Sequence, residues 1–431
     1  MTLTPQNSAE TSMLNAIVRG AKALFSYLET RGLYSLADLH LNRAKEAATL
    51  LGDNTSLVLI YHHLGTIAEA GGNYPLAQEQ FKLGLTLARA SKYQEGELEL
   101  LRGLGIVADY RGDHPLAREY FQKALDLAQI TGNNARISKL LSDLGVVAVN
   151  IGNYLDADKY LRESLLRARE MDDSQSVYAS LTNLGWLEDR RGNYDLAEKY
   201  WEEGLAKARQ IEHREGISTT LANLGSTALK RGDFEKADSY LKEGLAIARA
   251  IGNKRIETIL LENLGSVAEN VGEYDLALRY WQEGLQLARE VDLGEDIGFL
   301  LGSLGLLSSK RGNFAESEEY FREGLAISRQ INSPWNTSYI LVNLGESYLE
   351  QQNLDDAYKI FQEAQENSLA IEEPEFIATA LFGLARIAAR RNDLPIAIEN
   401  AQESRKIFQT INHYRANEVD QWLSGISRAT M

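Results

Sequence analysis

Four asparagines recur at one position of a repeating pattern: Asn183, Asn223, Asn263 and Asn343 stand at multiples of 40 residues. The same phase carries Asp143 and Ser303, with Gly103 and Gly383 where a side chain is missing. A carboxamide offers both a donor and an acceptor but no acid, base or nucleophile. Such a column suits recognition of a polypeptide main chain. It does not suit bond making. Neighbouring phases carry the aromatics Tyr110, Trp186, Phe299, Tyr339 and Phe382 and the cations Arg190, Lys230 and Lys310. The histidines 40, 62, 63, 114, 213 and 413 follow no ligand spacing, and the glycines follow the repeat and form no phosphate loop. No catalytic residue, metal site or cofactor is expected, and no enzymatic activity.

The elements that position these residues are read from a second periodic signal. Leu-Gly pairs fall at 64–65, 104–105 and every 40 residues to 344–345, and Leu384-Ala385 keeps the phase. Within residues 221–260, Leu221, Leu224, Gly225 and Ala228 form a helical stripe that stops at Arg231-Gly232-Asp233. Gly232 supplies a left-handed cap, and Asp233 can cap the next helix. Ala237, Tyr240, Leu241, Gly244, Leu245 and Ala248 form a second stripe, closed at Gly252-Asn253. The unit is therefore helix A, a tight turn, helix B and a short loop. Gly within a helix costs about 1 kcal/mol against Ala. Its recurrence here predicts close helix crossings as the compensation. Pro75, Pro115 and Pro395 fall in the first turn of helix B, and Pro334 and Pro374 in the loop before helix A, where a missing N–H does no harm.

Bulk properties narrow the function classes. The 431 residues carry a net charge of −16 and are 44% hydrophobic, which excludes disorder and argues against nucleic acid and anionic membrane surfaces. The absence of cysteine removes disulfides and thiolate chemistry and fits a reducing compartment. The N-terminus has no basic lead into a long apolar run, and no membrane span is expected, so cytoplasm is the expected location.

A 40-residue period is shared by several arrays, and the residue pattern separates them. Strand alternation is absent, against a propeller. Leu181-x-x-Leu184-Gly185-x-x-Glu188 followed by Ala197-x-x-x-Trp201-x-x-Gly204 resembles the tetratricopeptide repeat signature, with Leu in place of its usual Trp. The longer unit is similar to the arrays of kinesin light chains, of LGN-type spindle adaptors and of bacterial regulators. The resemblance implies an all-α, right-handed superhelical solenoid of about ten helix-turn-helix repeats. Its expected divisions are an N-terminal lead at 1–20, the solenoid at 21–412 and a capping helix at 413–431.

The resemblance further implies that helix A lines a concave groove. Position 223 lies roughly 150° from the core stripe on the helical wheel, so this phase would face that groove. Asparagines at this place resemble a ladder gripping the main chain of a bound segment. The implied peptide-binding groove comprises Asn183, Asn223, Asn263, Asn343, Asp143 and Ser303. Tyr110, Trp186, Phe299, Tyr339 and Phe382 would provide its pockets, and Arg190, Lys230 and Lys310 a cationic edge. Two plainer readings stand beside it. Copying of an ancestral unit would also propagate an Asn, and cations at a helix C-terminus complement its dipole. The expected function is a protein- or peptide-binding scaffold, with a ligand-sensing module of a bacterial signalling system and a self-associating solenoid as alternatives.

Overall fold

The computed structural model describes residues 8–30, 33–411 and 413–429. Every element among them is an α-helix. The chain forms two compact units, Met1–Leu187 and Glu188–Met431. In chain order the first holds α1 (Ser8–Thr30), α2 (Tyr34–Leu51), α3 (Asn54–Ala70), α4 (Tyr74–Ala90), α5 (Gln94–Tyr110), α6 (His114–Thr131), α7 (Asn134–Asn150) and α8 (Tyr154–Glu170). Helix α9 (Ser174–Arg190) contains the boundary. The second unit continues with α10 (Tyr194–Gln210), α11 (Arg214–Lys230), α12 (Phe234–Ile251), α13 (Lys254–Asn270), α14 (Tyr274–Glu290), α15 (Gly294–Lys310) and α16 (Phe314–Gln330). It ends with α17 (Pro334–Glu350), α18 (Leu354–Ala370), α19 (Pro374–Arg390), α20 (Leu394–Thr410) and α21 (Arg415–Ala429).

Odd-numbered helices are the A helices of the repeat; from α1 to α7 and from α11 to α19 each pairs with the B helix that follows it. Helix α1 begins at Ser8, inside the segment expected as a lead; residues 1–7 of that lead lie outside the described residues. Pro334 and Pro374 are the first residues of α17 and α19, not loop residues. There the missing N–H falls among the donors that have no helical acceptor. Asp and Asn cap the helices as the turns require: Asp233 accepts from the Lys236 N–H at 3.3 Å and Asn253 from the Ile256 N–H at 3.1 Å.

The recurrent glycines have a steric cause. A Cβ added at Gly105 would stand 2.5 Å from the Phe121 ring, and one at Gly305 would stand 2.7 Å from the Phe321 ring. Gly225 meets Leu241 and Gly345 meets Phe361 in the same way. In each case the intruding side chain lies sixteen residues on, in helix B of the same unit. Helix B glycines repeat the device toward the next unit, Gly244 against Leu260 and Gly324 against Ile340. The last repeat has Ala385, and the residue sixteen on is Ala401; both are fully buried in one cluster. A small partner there removes the need for glycine.

A helices also touch the next A helix, as in α11–α13, α13–α15, α15–α17 and α17–α19. Closer packing on the A side than on the B side bends a stack so that its A helices line the inner wall. On the opposite side, consecutive B helices are joined by Arg209–Glu243, Arg249–Glu283, Arg289–Glu323 and Arg329–Glu363 pairs at 2.5–3.3 Å. These are solvated, and each contributes at most about 1 kcal/mol. Their regular spacing marks register more than strength.

Replacing Gly305 by Ala should lower stability by about 1–3 kcal/mol through overpacking, despite Ala being the better helix former. Gly20, which has open space around its Cα, should gain up to about 1 kcal/mol from the same change. Urea unfolding of the two variants checks both signs.

Candidate functional site

The inner wall is largely occupied by its own bonds. In the first unit, Asp143 accepts from Arg102 Nε at 2.5 Å and from Nη2 at 3.1 Å. Asn183 Nδ2 donates to Ser142 Oγ at 2.9 Å. Tyr110 is exposed and stacks on Tyr74 at 5.7 Å, while Trp186 is half-buried. In the second unit Lys230 pairs with Asp189 at 2.6 Å, Lys310 with Glu269, and Arg390 Nη1 donates to the Leu349 carbonyl at 2.9 Å. Each of these bonds joins one A helix to the preceding A helix at a separation of 41 residues. Lys230, Lys310 and Arg390, at helix A C-termini, are therefore links between repeats, a role that neither the dipole nor the ligand reading gave them. Arg190 lies 3.7 Å from Glu373, and Asn223 is half-buried on α11. Phe382 is in the core, 2% exposed, with its ring edge against Trp422 of α21; it does not face a groove. Its position falls beside the asparagine phase, one helical step toward the core side.

The unit Glu188–Met431 closes on itself. The turn between α20 and α21 reaches back to the turns that follow α9 and α11. A Cβ at Gly192 would lie 3.3 Å from the Ile411 carbonyl oxygen, and one at Gly232 would lie 3.6 Å from Tyr414. Tyr414 stands edge-on to Phe234 at 6.2 Å and donates its hydroxyl to Asn270 Oδ1 at 2.9 Å, across 144 residues of sequence. His413 stacks between Phe408 and Tyr414, at 5.2 and 4.7 Å. Burial there holds His413 down to about 4, hence neutral, and raises the Tyr414 hydroxyl to about 12.

Closure leaves an open-sided cavity of about 480 Å³ bordered by α11, α13, α15, α17, the start of α19 and the closing turn. Six residues singled out from the sequence border it: Lys230, Asn263, Phe299, Ser303, Tyr339 and Asn343. Ser303 Oγ and the Tyr339 hydroxyl are 2.8 Å apart, and Asn263 Nδ2 donates to the Ile259 carbonyl at 3.0 Å. Phe299 stacks on Tyr339 at 4.8 Å, and Trp335 stacks on Tyr339 at 5.7 Å, forming one aromatic wall. Asn343 is 7% exposed; its amide lies within reach of the Tyr339 hydroxyl, but its Nδ2 makes no well-aligned hydrogen bond among the described residues. A buried donor left unpaired costs about 1–3 kcal/mol.

The sequence reading missed the acidic half of this cavity. Glu262 of α13 and Asp296 of α15 share a hydrogen bond, and burial raises both carboxyls above their ordinary values. Asp296 adds to the rise of Glu262 through its charge and the shared hydrogen bond, whereas exposed Arg255 and that same bond pull Asp296 partly back. Glu262 Oε1 has no partner. Glu375 is raised by burial and lowered by Lys230 and Arg415. Trp281, seated on Gly265, fixes this stretch of α13 by donating Nε1 to the Glu262 carbonyl at 3.1 Å. A signal did exist: Glu262 occupies a phase that neighbouring repeats fill with Ala222, Gly302 and Val342.

Glu262 is held above its ordinary value of 4.5, so it binds a proton in the fold that the unfolded chain releases. Its stabilising effect is complete below pH 4.5 and is lost as pH rises through the folded value. Glu262→Gln should therefore raise the thermal midpoint at pH 8, by roughly 1–3 kcal/mol in stability terms, and leave it nearly unchanged at pH 4. Thermal denaturation monitored by circular dichroism at both pH values checks it.

Among curated proteins none matches this chain. Solved structures do match, at identities that speak for the fold alone. Aspartyl phosphate phosphatase F from Bacillus subtilis superposes with a TM-score of 0.55 at 12% identity, covering 82% of this chain and 95% of that one. A Rap protein complexed with competence and sporulation factor gives 0.51 at 14% identity, over 77% and 98%. A signal transduction ATPase with numerous domains and a tetratricopeptide repeat sensor, from Pyrococcus horikoshii, gives 0.51 at 16% identity, over 98% of this chain and 55% of that one. The family model for the tetratricopeptide repeat matches residues 56–130, 136–210, 190–250, 255–330 and 336–410. With the glycine-seated helical hairpins, those matches make this chain a member of the tetratricopeptide repeat family.

Proposed function

We propose that this chain is a non-catalytic binding scaffold whose ligand is a short extended peptide, held in the cavity of the Glu188–Met431 unit. The observation that carries this reading is the amide of Asn343. It is more than nine-tenths buried, borders the cavity, and has the Tyr339 hydroxyl within reach but makes no well-aligned hydrogen bond among the described residues. Several other polar groups of the inner wall are spent on links between repeats, so a poorly satisfied donor at that depth supports a missing acceptor, such as a main-chain carbonyl. Asn263 and Ser303 border the same cavity and could bond alongside it. Phe299, Trp335 and Tyr339 supply apolar surface for a side chain. Net hydrogen bonds contribute only about 1 kcal/mol each, so affinity would rest on the aromatic wall as much as on amides.

The Rap neighbour bound to competence and sporulation factor shows that a related fold has been solved with a ligand, which adds plausibility without assigning residues. A second reading has an observation of its own. A volume of about 480 Å³ is within the ~300–1,000 Å³ range of small-molecule sites, so a metabolite sensor would fit the same space.

Thermal-shift screens of short peptides and of metabolites, run side by side on the full chain, separate the two. For the best peptide, the double variant Asn343→Ala, Asn263→Ala should weaken binding roughly tenfold or more by calorimetry, with stability retained. Unchanged affinity on the folded double variant removes the amide grip; a response to metabolites alone removes the peptide.

A further inference from the structure

The cavity has two chemically distinct sides, and its acidic side is short of donors. Five carboxylates border it, Glu262, Glu269, Glu295, Asp296 and Glu375, against the single lysine Lys230. Three have local answers, one of them Glu375, which faces the charges of Lys230 and Arg415. Glu269 pairs with Lys310, and Glu295 accepts from Ser333 Oγ and Asn336 Nδ2, both at 2.9 Å. Lys230 is engaged by Asp189. That leaves Glu262 and Asp296 side by side, faced only by exposed Arg255 from the solvent side.

Two unpaired acceptors lie on this side. One is Glu262 Oε1. The other is Asn336 Oδ1, on a side chain 1% exposed. The orientation of that amide is fixed, because its Nδ2 donates to both the Glu295 carbonyl at 2.8 Å and the Glu295 carboxylate. The free atom is therefore the oxygen, itself buried, on a residue that borders the cavity. Opposite in character, Phe299, Tyr339 and Trp335 stand in a row with interplanar angles of 19° and 12° between successive rings. No group of three or more His, Asp or Glu among the described residues is placed to hold a metal ion, so an inorganic cation does not answer the deficit.

From these placements we propose that the cavity recognises an alkylguanidinium group, with Glu262, Asp296 and the Asn336 carbonyl oxygen accepting its N–H bonds and the aromatic row stacking on its plane. A guanidinium is planar and presents several donors in a fixed fork. It is more weakly hydrated than an ammonium, so it enters a half-buried site at lower cost. Carboxylates bind it in two-point fashion and aromatic faces attract it. A bound cation would favour the charged form of Glu262 and Asp296, because it offsets the burial that raises both carboxyls. The source of the group is an arginine side chain in a peptide, which rests on the peptide reading above, or a free alkylguanidine, which does not.

Calorimetry on the full chain distinguishes them with three probes: N-acetyl-Gly-Arg-Gly-amide, the same peptide with citrulline for arginine, and agmatine. Citrulline keeps the shape and removes the charge. The arginine peptide should bind at least about tenfold more tightly than the citrulline peptide. Glu262→Gln, which is expected to fold at least as well as the parent, and Asp296→Asn should each erase most of that difference. Agmatine binding as tightly as the arginine peptide upholds the guanidinium site and removes the peptide reading. Equal binding of the arginine and citrulline peptides overturns the guanidinium site and leaves the peptide reading standing. Absence of binding by both arginine peptide and agmatine at millimolar concentration also overturns it.

Discussion

The whole architecture depends on one contact, a bulky side chain of helix B resting on a bare Cα of helix A sixteen residues earlier. Phe121 on Gly105, Leu241 on Gly225, Phe321 on Gly305 and Phe361 on Gly345 are the same event in successive units. Each sets how closely a hairpin closes. The companion contacts, Leu260 on Gly244 and Ile340 on Gly324, set how closely the next hairpin follows. Interiors are packed like crystals, so a fixed contact distance propagates as a fixed rotation from unit to unit. Curvature of the inner wall follows from those distances.

Within Glu188–Met431, that accumulated rotation brings the last turn back to the first. Closure explains why the cavity is there and not elsewhere along the wall. Over most of the inner surface, polar side chains reach 41 residues back and bond to the preceding repeat. Near Glu262, Asp296 and Asn343 the pattern changes. Aromatic rings and glycines take the linking phases, and the polar groups that remain face a space instead of a partner. A stack stabilised by repetition thus carries its unsatisfied groups where the repetition is broken, as expected of a site that trades stability for recognition.

The sequence made the helices, their order, their caps and the helix crossings legible, because each depends on residues within one or two repeats. Asp233 and Gly252 announced their turns, and the recurrent glycines announced close approach. Half of the cavity wall was legible too, since Phe299, Ser303, Tyr339 and Asn343 stand on phases that a helical wheel turns away from the core. Phe382 was misplaced because a wheel drawn for an isolated helix ignores α21, which covers that face. Asn183 and Asp143 were legible as inner-wall residues, but their bonds to the neighbouring helix were not, since those depend on the spacing between A helices. Tyr414 and His413 could not be placed at all from local pattern. Their position follows from a sum of small rotations over several units.

One consequence concerns the number of units. The hydroxyl of Tyr414 meets Asn270 only because a set count of hairpins separates them. Inserting or deleting one 40-residue block between these residues would carry the closing turn past its seat and open the chamber. The same count binds the stretch back to Gly192 and Gly232, which the closing turn also meets, while blocks before α9 face no such arithmetic. Growth and shrinkage by duplication, ordinarily free in arrays of this kind, is thus barred along one stretch of the chain and permitted along the rest.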